Sequence, residues 1–317
     1  MKNYGLPYMG SKNKIAEWIL SYLPKAENLY DLFCGGCAIT HCAIELQRYK
    51  NYYINDINEF MPYGFIDCIN GKYHDEKRWI SHEEFNKFKG KGDLLVDLCF
   101  SFGNNYQKGY AYSKEIEPVK KAFHYALFYN DYSQMKNLCD IDLSPLKDIG
   151  GGIYKKYLYA KNIIKQRVAL QSLERLERLE RLERLESLES LERLERLERL
   201  ESLERLERLE KHITPSAKSY DEIEIKPNSV IYCDIPYRST ATYNKQTFDY
   251  DKFYDWCLKQ TEPLFISEYW MPETDFICIA EKKKICSLDA NNNSMKKVEK
   301  LFIPKHQQLK NEQLKLF

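Results

Sequence analysis

No hydrophobic run in the 317-residue chain approaches the ~18 residues that a membrane span requires. The opening residues, Met1-Lys2-Asn3-Tyr4, lack the apolar core of a signal peptide, so the expectation is a protein that acts in the cytoplasm. Ten cysteines are scattered without the spacing of a disulfide framework, as suits a reduced compartment. Cys34 and Cys37 form a CxxC, but no second ligand pair follows at the spacing a structural zinc needs, and no metal is expected. Charge of one sign is missing too: the formal net charge is +1. That balance is uneven. Residues 171–211 hold thirteen glutamates against ten basic residues, which leaves the rest of the chain mildly basic. A mildly basic body permits nucleic-acid binding without demonstrating it. The dinucleotide fingerprint GxGxxG is also missing.

What is present begins with a polar lead-in, Tyr8-Met-Gly-Ser-Lys12, followed by Ile15, Trp18, Ile19 and Tyr22 at helical spacing. Ser11 or Asn13 is a candidate cap for that helix. Tyr8, Gly10 and Lys12 read either as a surface lead-in or as a loop over a ligand. Residues 28–47 read strand, glycine turn, helix, with Gly35-Gly36 at the junction. Glycine there permits a tight turn and lets a ligand approach the backbone. Asn51–Asn58 reads as a second strand whose end carries Asp56, ~20 residues past the turn. That is the spacing at which an acid on the next parallel strand binds ribose hydroxyls. The competing reading is that Asp56 caps a helix starting near Asn58.

The middle of the chain, 61–169, is polar, aromatic and mostly helical in pattern. Within Phe100–Lys114, Asn105, Tyr106, Lys108, Tyr110 and Tyr112 combine groups that read base edges, neutralise phosphates and stack on bases. An ordinary tyrosine-rich loop is the alternative. Gly150-Gly151-Gly152 predicts a loop tip ahead of a second basic-aromatic cluster around Tyr154–Lys161.

Residues 170–211 are a Leu-Glu-Arg/Ser repeat with leucine at every third position. All three main residue types favour helix, and Glu174–Arg178 has the favoured i,i+4 orientation. A continuous helix would run ~60 Å. A three-residue period steps each leucine back by ~60° around the axis, so no sustained coiled-coil seam forms. The expectation is a charged helical spacer inserted into the fold.

The chain then returns to globular texture at Ser229–Cys233, a buried strand that ends Asp234-Ile235-Pro236-Tyr237. Strand ends of this kind are where open α/β sheets hold ligands. Pro236 confines Ile235 to extended backbone, which steadies its carbonyl. Asp234 and that carbonyl could accept hydrogen bonds from an amino group on a flat ring, with Tyr237 stacked on the ring for ~1–3 kcal/mol. A polar loop with Tyr243 follows, then a helix around Phe253–Cys257 and a strand, Leu264–Tyr269. Strand, helix, strand predicts a parallel crossover. Ile277–Ala280 and Lys300–Ile303 are further candidate strands.

Taken together these pieces resemble the Dam-like family of adenine-specific DNA methyltransferases, whose cofactor motifs precede the target-recognition region. Tyr8–Lys12 resembles its N-terminal cofactor motif, Asp31-Leu-Phe-Cys-Gly35-Gly-Cys37 its Phe-x-Gly-x-Gly loop, Asn55–Asn58 its ribose acid and Asp234–Tyr237 its Asp-Pro-Pro-Tyr tetrapeptide. The motifs fall in the family's order. Cys37 stands where the family has glycine, which a cysteine suits if its φ stays negative, and Ile235 stands where the family has its first proline.

The resemblance implies a Rossmann-like methyltransferase sheet formed by 1–60 and 212–317. It implies a mostly helical target-recognition region over 61–169, which with Tyr243 contacts double-stranded DNA. S-Adenosylmethionine is the implied cofactor, lined by Tyr8, Lys12, Asp31, Phe33, Gly35, Asp56 and Asp234. The implied reaction is methylation of the adenine 6-amino group, on a base flipped out of the duplex, with Asp234, Ile235, Pro236 and Tyr237 as its catalytic residues. A methyltransferase acting on RNA or a protein amide, and an inactive DNA-binding homologue, are the competing readings.

Overall fold

The computed structural model describes residues 3–8, 10–171, 203, 206, 212–238, 248–285 and 296–308. The chain divides into two compact units. The first comprises Met1–Leu6, Gly10–Lys72 and Leu203–Phe317; the second comprises Pro7–Met9 and Tyr73–Ser202.

The first unit is built on a seven-stranded sheet of order β3-β2-β1-β4-β5-β7-β6. Its strands are β1 (Asn28–Asp31), β2 (Asn51–Asn55), β3 (His212–Ser216), β4 (Ser229–Asp234), β5 (Leu264–Glu268), β6 (Phe276–Ile285) and β7 (Lys296–Pro304). The first five run parallel, while β7 lies antiparallel between β5 and β6. β1 and β5 are buried along their length and β4 up to Cys233, as the near-continuous apolar runs of a parallel sheet require. The strand order reverses at β1, with β2 on one side and β4 on the other, and such a switch point opens a crevice at the carboxyl ends of the strands. The predicted crossover is present: β4, α8 (Tyr250–Leu258), β5. Asp249 caps α8 by accepting from the Lys252 N–H, and Phe253 and Cys257, one turn apart, bury against Ile231, Cys233 and Ile266.

α1 (Ala16–Leu20) and α2 (Ala38–Glu45) belong to the same unit, as does α3 (Phe60–Ile69). The expected side-chain cap at the start of the first helix is not formed. Asn13 Oδ1 instead accepts from the Tyr4 N–H, and Ser11 Oγ accepts from the Asn13 N–H. The N-terminal segment seats its backbone on the glycine turn, where the Leu6 N–H donates to the Gly36 carbonyl. Gly5 is at φ +70°, and a Cβ there would lie 2.2 Å from that carbonyl oxygen, so only glycine fits.

The second unit is mostly helical. α4 (His82–Phe88) opens with a Ser81–Glu84 capping box. α5 (Glu117–Phe128), α6 (Ser133–Cys139) and α7 (Ile153–Gln171) enclose a core in which Val119, Ala122, Phe123, Ala126 and Leu127 meet Met135, Leu146, Tyr157, Ala160 and Ile164. The glycine triplet immediately precedes α7. The predicted Leu-Glu-Arg helix over 170–211 lies outside the described residues except for 170, 171, 203 and 206.

Candidate active site

Four acids stand at or just past the carboxyl ends of neighbouring parallel strands. Asp31 ends β1, Asp56 follows β2, Asp234 ends β4 and Glu268 ends β5. Register makes this possible: Asp31 pairs with Tyr232 on β4 and Ile54 on β2, and Asp234 pairs with Ser267 on β5. Parallel strands place equivalent ends at the same edge, so acids far apart in sequence gather there.

Asp31 is fully buried. The Thr40 hydroxyl on α2 donates to its Oδ2 at 2.7 Å, and its Oδ1 has no hydrogen-bond partner. Burial pushes its pKa up to about 7, against the Thr40 hydrogen bond. The turn that follows is drawn tight by the Cys37 N–H donating to the Cys34 carbonyl and by the Gly35 N–H donating to Asp56 Oδ2 at 2.9 Å. Gly35 has φ +45°. Cys37, expected at negative φ, is at φ 55°, ψ 32°. It keeps the left-handed conformation for which glycine is the natural choice, at a cost of ~1–2 kcal/mol. Cys34 and Cys37 are both buried, burial raises both thiol pKa values, and each thiol lies within hydrogen-bond range of the Gly35 carbonyl. Phe33 leaves the turn to pack against Tyr220, Phe248 and Phe253.

Asp56 does not cap α3, whose N-cap is Glu59 without a side-chain hydrogen bond; both of its oxygens accept from backbone instead. One oxygen takes the glycine-turn N–H, and the other accepts from the Asn58 N–H at 2.9 Å, shaping the approach to α3. Burial raises its pKa, opposed by those two backbone hydrogen bonds.

Lys12 is buried in this unit, with its Nζ 2.6 Å from Asp234 Oδ1, 3.6 Å from Glu299 Oε1 and 4.7 Å from the centre of the Tyr237 ring. Burial opposes its charge, but the two carboxylates outweigh burial and raise the ammonium above its usual pKa. The tetrapeptide is fixed from several sides. The Ile235 side chain is buried in the sheet core, the Tyr250 hydroxyl donates to the Pro236 carbonyl at 2.8 Å, and the Tyr237 hydroxyl donates to Glu299. Tyr269 meets the Tyr237 ring edge-on. Glu268 is buried with Oε2 unpartnered, and burial raises its pKa to about 7 against hydrogen bonds from the Tyr269 and Trp270 N–H groups.

Lys12, Asp31, Phe33, Gly35, Asp56 and Asp234–Tyr237 therefore share the first unit, whereas Tyr8 belongs to the second. Sequence reading missed Thr40, Glu268 and Glu299. Glu299 sits in a lysine-rich stretch that reads as exposed, and its only signal was its place two residues before Leu301, on the same face of a strand.

In the second unit the proposed DNA-contact loop is a short antiparallel bridge, Ser101 to Tyr110. One of its tyrosines needs correction: Tyr112 is buried and stacks on Trp79. Tyr110 is half-buried, its hydroxyl donating to the Ile80 carbonyl and its ring stacked on His82. Asn105 and Tyr106 are half-buried and Lys108 is exposed. Asn105 Oδ1 accepts from the Gln107 N–H. Tyr243 lies outside the described residues.

A family model described as D12 class N6 adenine-specific DNA methyltransferase matches residues 8–174, from the N-terminal lysine loop through the glycine turn and Asp56 to the end of α7. No curated protein matches the chain. The matched span stops short of Asp234–Tyr237, whose place at the end of β4 comes from the fold. With more than half of its length matched, the chain belongs to the D12 class N6 adenine-specific DNA methyltransferase family.

Proposed function

We propose that this protein transfers a methyl group from S-adenosylmethionine to the exocyclic 6-amino group of adenine in double-stranded DNA, with Asp234–Tyr237 as its catalytic segment. The observation that carries the reading is the Lys12–Asp234 ion pair at the carboxyl end of β4. The adenine amine is a weak nucleophile because its lone pair is delocalised into the ring. It needs acceptors that draw the nitrogen toward tetrahedral geometry, and most of the acceleration then comes from positioning. A lysine against Asp234 favours the ionised, accepting carboxylate. Pro236 steadies the Ile235 carbonyl as the second acceptor, and Tyr237 offers a face for the base.

The residues fit the methyl donor. Asp31 presents a buried oxygen with no hydrogen-bond partner, Asp56 stands beside a turn without a Cβ at Gly35, and Phe33 supplies an apolar wall. Lys12, Asp31, Phe33, Gly35 and Asp56 would hold the donor, which supplies an electrophilic methyl group on a sulfonium. The crowd of carboxyl groups suits a cationic ligand. We assign target recognition to the second unit, with Asn105, Tyr106 and Lys108 as its DNA-facing candidates.

The test is incubation of purified protein with methyl-labelled S-adenosylmethionine and plasmid DNA from a methylation-free host, followed by nucleoside analysis. We expect label in N6-methyladenine and a loss of at least about 100-fold in Asp234→Ala, the scale of removing one positioned electrostatic group. Undiminished activity in that variant refutes the role of Asp234, and label on cytosine or on protein refutes the substrate.

A further inference from the structure

Glu299 sits on β7, the antiparallel strand beside β5, and contributes a carboxylate to a cluster otherwise built from the N-terminal loop and the end of β4. It is 1% exposed. A buried carboxylate at a strand position is unfavourable compared with an apolar side chain of the same size unless it is paired. Glu299 is only partly paired. One oxygen accepts from the Tyr237 hydroxyl and lies 3.6 Å from Lys12 Nζ, while the other has no hydrogen-bond partner. An apolar residue would serve the core better, so its presence calls for a role in the site.

The contacts close a ring. Asp234 pairs with Lys12, Lys12 with Glu299, and Glu299 takes the hydroxyl of Tyr237, three residues beyond Asp234. Both ends of the tetrapeptide are therefore tied to the same carboxylate, one through the ammonium and one directly. Two carboxylates share a single lysine, so its charge is not spent on Asp234 alone. The hydroxyl anchor leaves the Tyr237 ring little freedom to turn about its bonds.

We infer that Glu299 is the positioning residue of this site, setting the plane of the Tyr237 ring and the place of the Lys12 ammonium so that the target base and its amine meet Asp234 in line. This rests on the reading of Asp234–Tyr237 as the methyl-transfer segment. Glu299 touches neither base nor donor and acts through its two neighbours.

The experiment is a double-mutant cycle on the full chain with labelled S-adenosylmethionine and methylation-free plasmid DNA. Its variants are Glu299→Leu, which fills the space but accepts nothing, Glu299→Gln, Tyr237→Phe and the double variant Glu299→Leu/Tyr237→Phe. We expect Glu299→Leu and Tyr237→Phe each to lower kcat about tenfold, the scale of a small misplacement. The double variant should be no slower than Glu299→Leu alone, since Glu299→Leu already removes the one interaction that Tyr237→Phe removes. Glu299→Gln still accepts from Tyr237 and should stay within about threefold of wild type. Donor affinity by calorimetry should be unchanged in Tyr237→Phe, which leaves Lys12 in place. Wild-type kcat in Glu299→Leu, losses that multiply in the double variant, or a Tyr237→Phe loss that follows donor affinity would each overturn the role. Should Glu299→Leu melt early, wild-type kcat in Tyr237→Phe overturns it and a tenfold fall sustains it. A wild-type protein that labels no DNA overturns the methyl-transfer reading itself, and this inference with it.

Discussion

The strand ends of the first unit and the Ser101–Tyr112 loop of the second are both rich in groups that could bind a ligand, and they use them in opposite ways. At the strand ends, Asp31 and Glu268 are buried with an oxygen left unpartnered, as is Glu299 on β7, which shares the buried Lys12 with Asp234. In the loop, Tyr110 and Tyr112 are spent on Trp79, His82 and the Ile80 carbonyl. Unsatisfied buried polar atoms are costly, and the second unit carries them too: Asn104 Oδ1 in the loop and His82 Nδ1 beside it are buried without partners. What separates the two regions is charge: carboxylates at the strand ends, aromatic rings and amides in the loop.

The largest effect should come from taking the lysine out of the acidic cluster. Lys12→Met removes the ammonium that Asp234 and Glu299 share, and loss of one partner of a buried pair costs ~3–5 kcal/mol. Urea unfolding measures it, and a loss near zero would mean that the cluster is solvated rather than buried. On the other side of the comparison, Tyr112→Ala should cost about 3 kcal/mol by emptying its place against Trp79. Lys108→Ala, exposed in the same loop, should leave stability within ~0.5 kcal/mol. It should also lower the salt slope of DNA binding by about 1. Equal stability effects for the two would erase the distinction between scaffold and surface.

A smaller effect follows from pH. The folded pKa of Asp31 is about 7, above the ~3.9 of an unfolded chain. The folded state then holds the extra proton between those values, so this group's contribution to stability falls as pH rises from about 4 to about 7, and levels off above. Glu268 acts in the same direction. Asp31→Asn should flatten the change in urea midpoint between pH 5 and pH 7.5, on the order of 2 kcal/mol. An unchanged slope would show that Asp31 is already ionised at pH 5. The smallest effect concerns backbone. Cys37→Gly should be more stable than Cys37→Ala by about 1 kcal/mol, because only glycine is free of strain at φ 55°. Equal melting temperatures would place that turn in another conformation.

Cys37 and Ile235, the two departures from the family motifs, show how far local reading carries. Ile235 looked incidental in sequence, but its side chain is buried in the sheet core, which an isoleucine fills well. Cys37 seemed to require negative φ, yet the turn holds it left-handed, because the Gly35–Asp56 and Cys34–Cys37 hydrogen bonds constrain the loop more strongly than one side chain's preference.

The sequence by itself determined the strand–turn–helix units, the acids Asp56 and Asp234 at the ends of their strands and the order of the motifs, because strand period, turn chemistry and spacing are local properties. It left Asp56 between a ribose acid and a helix cap, and the structure shows Asp56 accepting from the Gly35 and Asn58 N–H groups while α3 has no side-chain cap. Only the tertiary structure decided that Lys12 lies on Asp234, that Glu299 joins them from β7 and that Tyr112 is core. Those are pairings across more than thirty residues, made by sheet register and burial, and no local pattern encodes them.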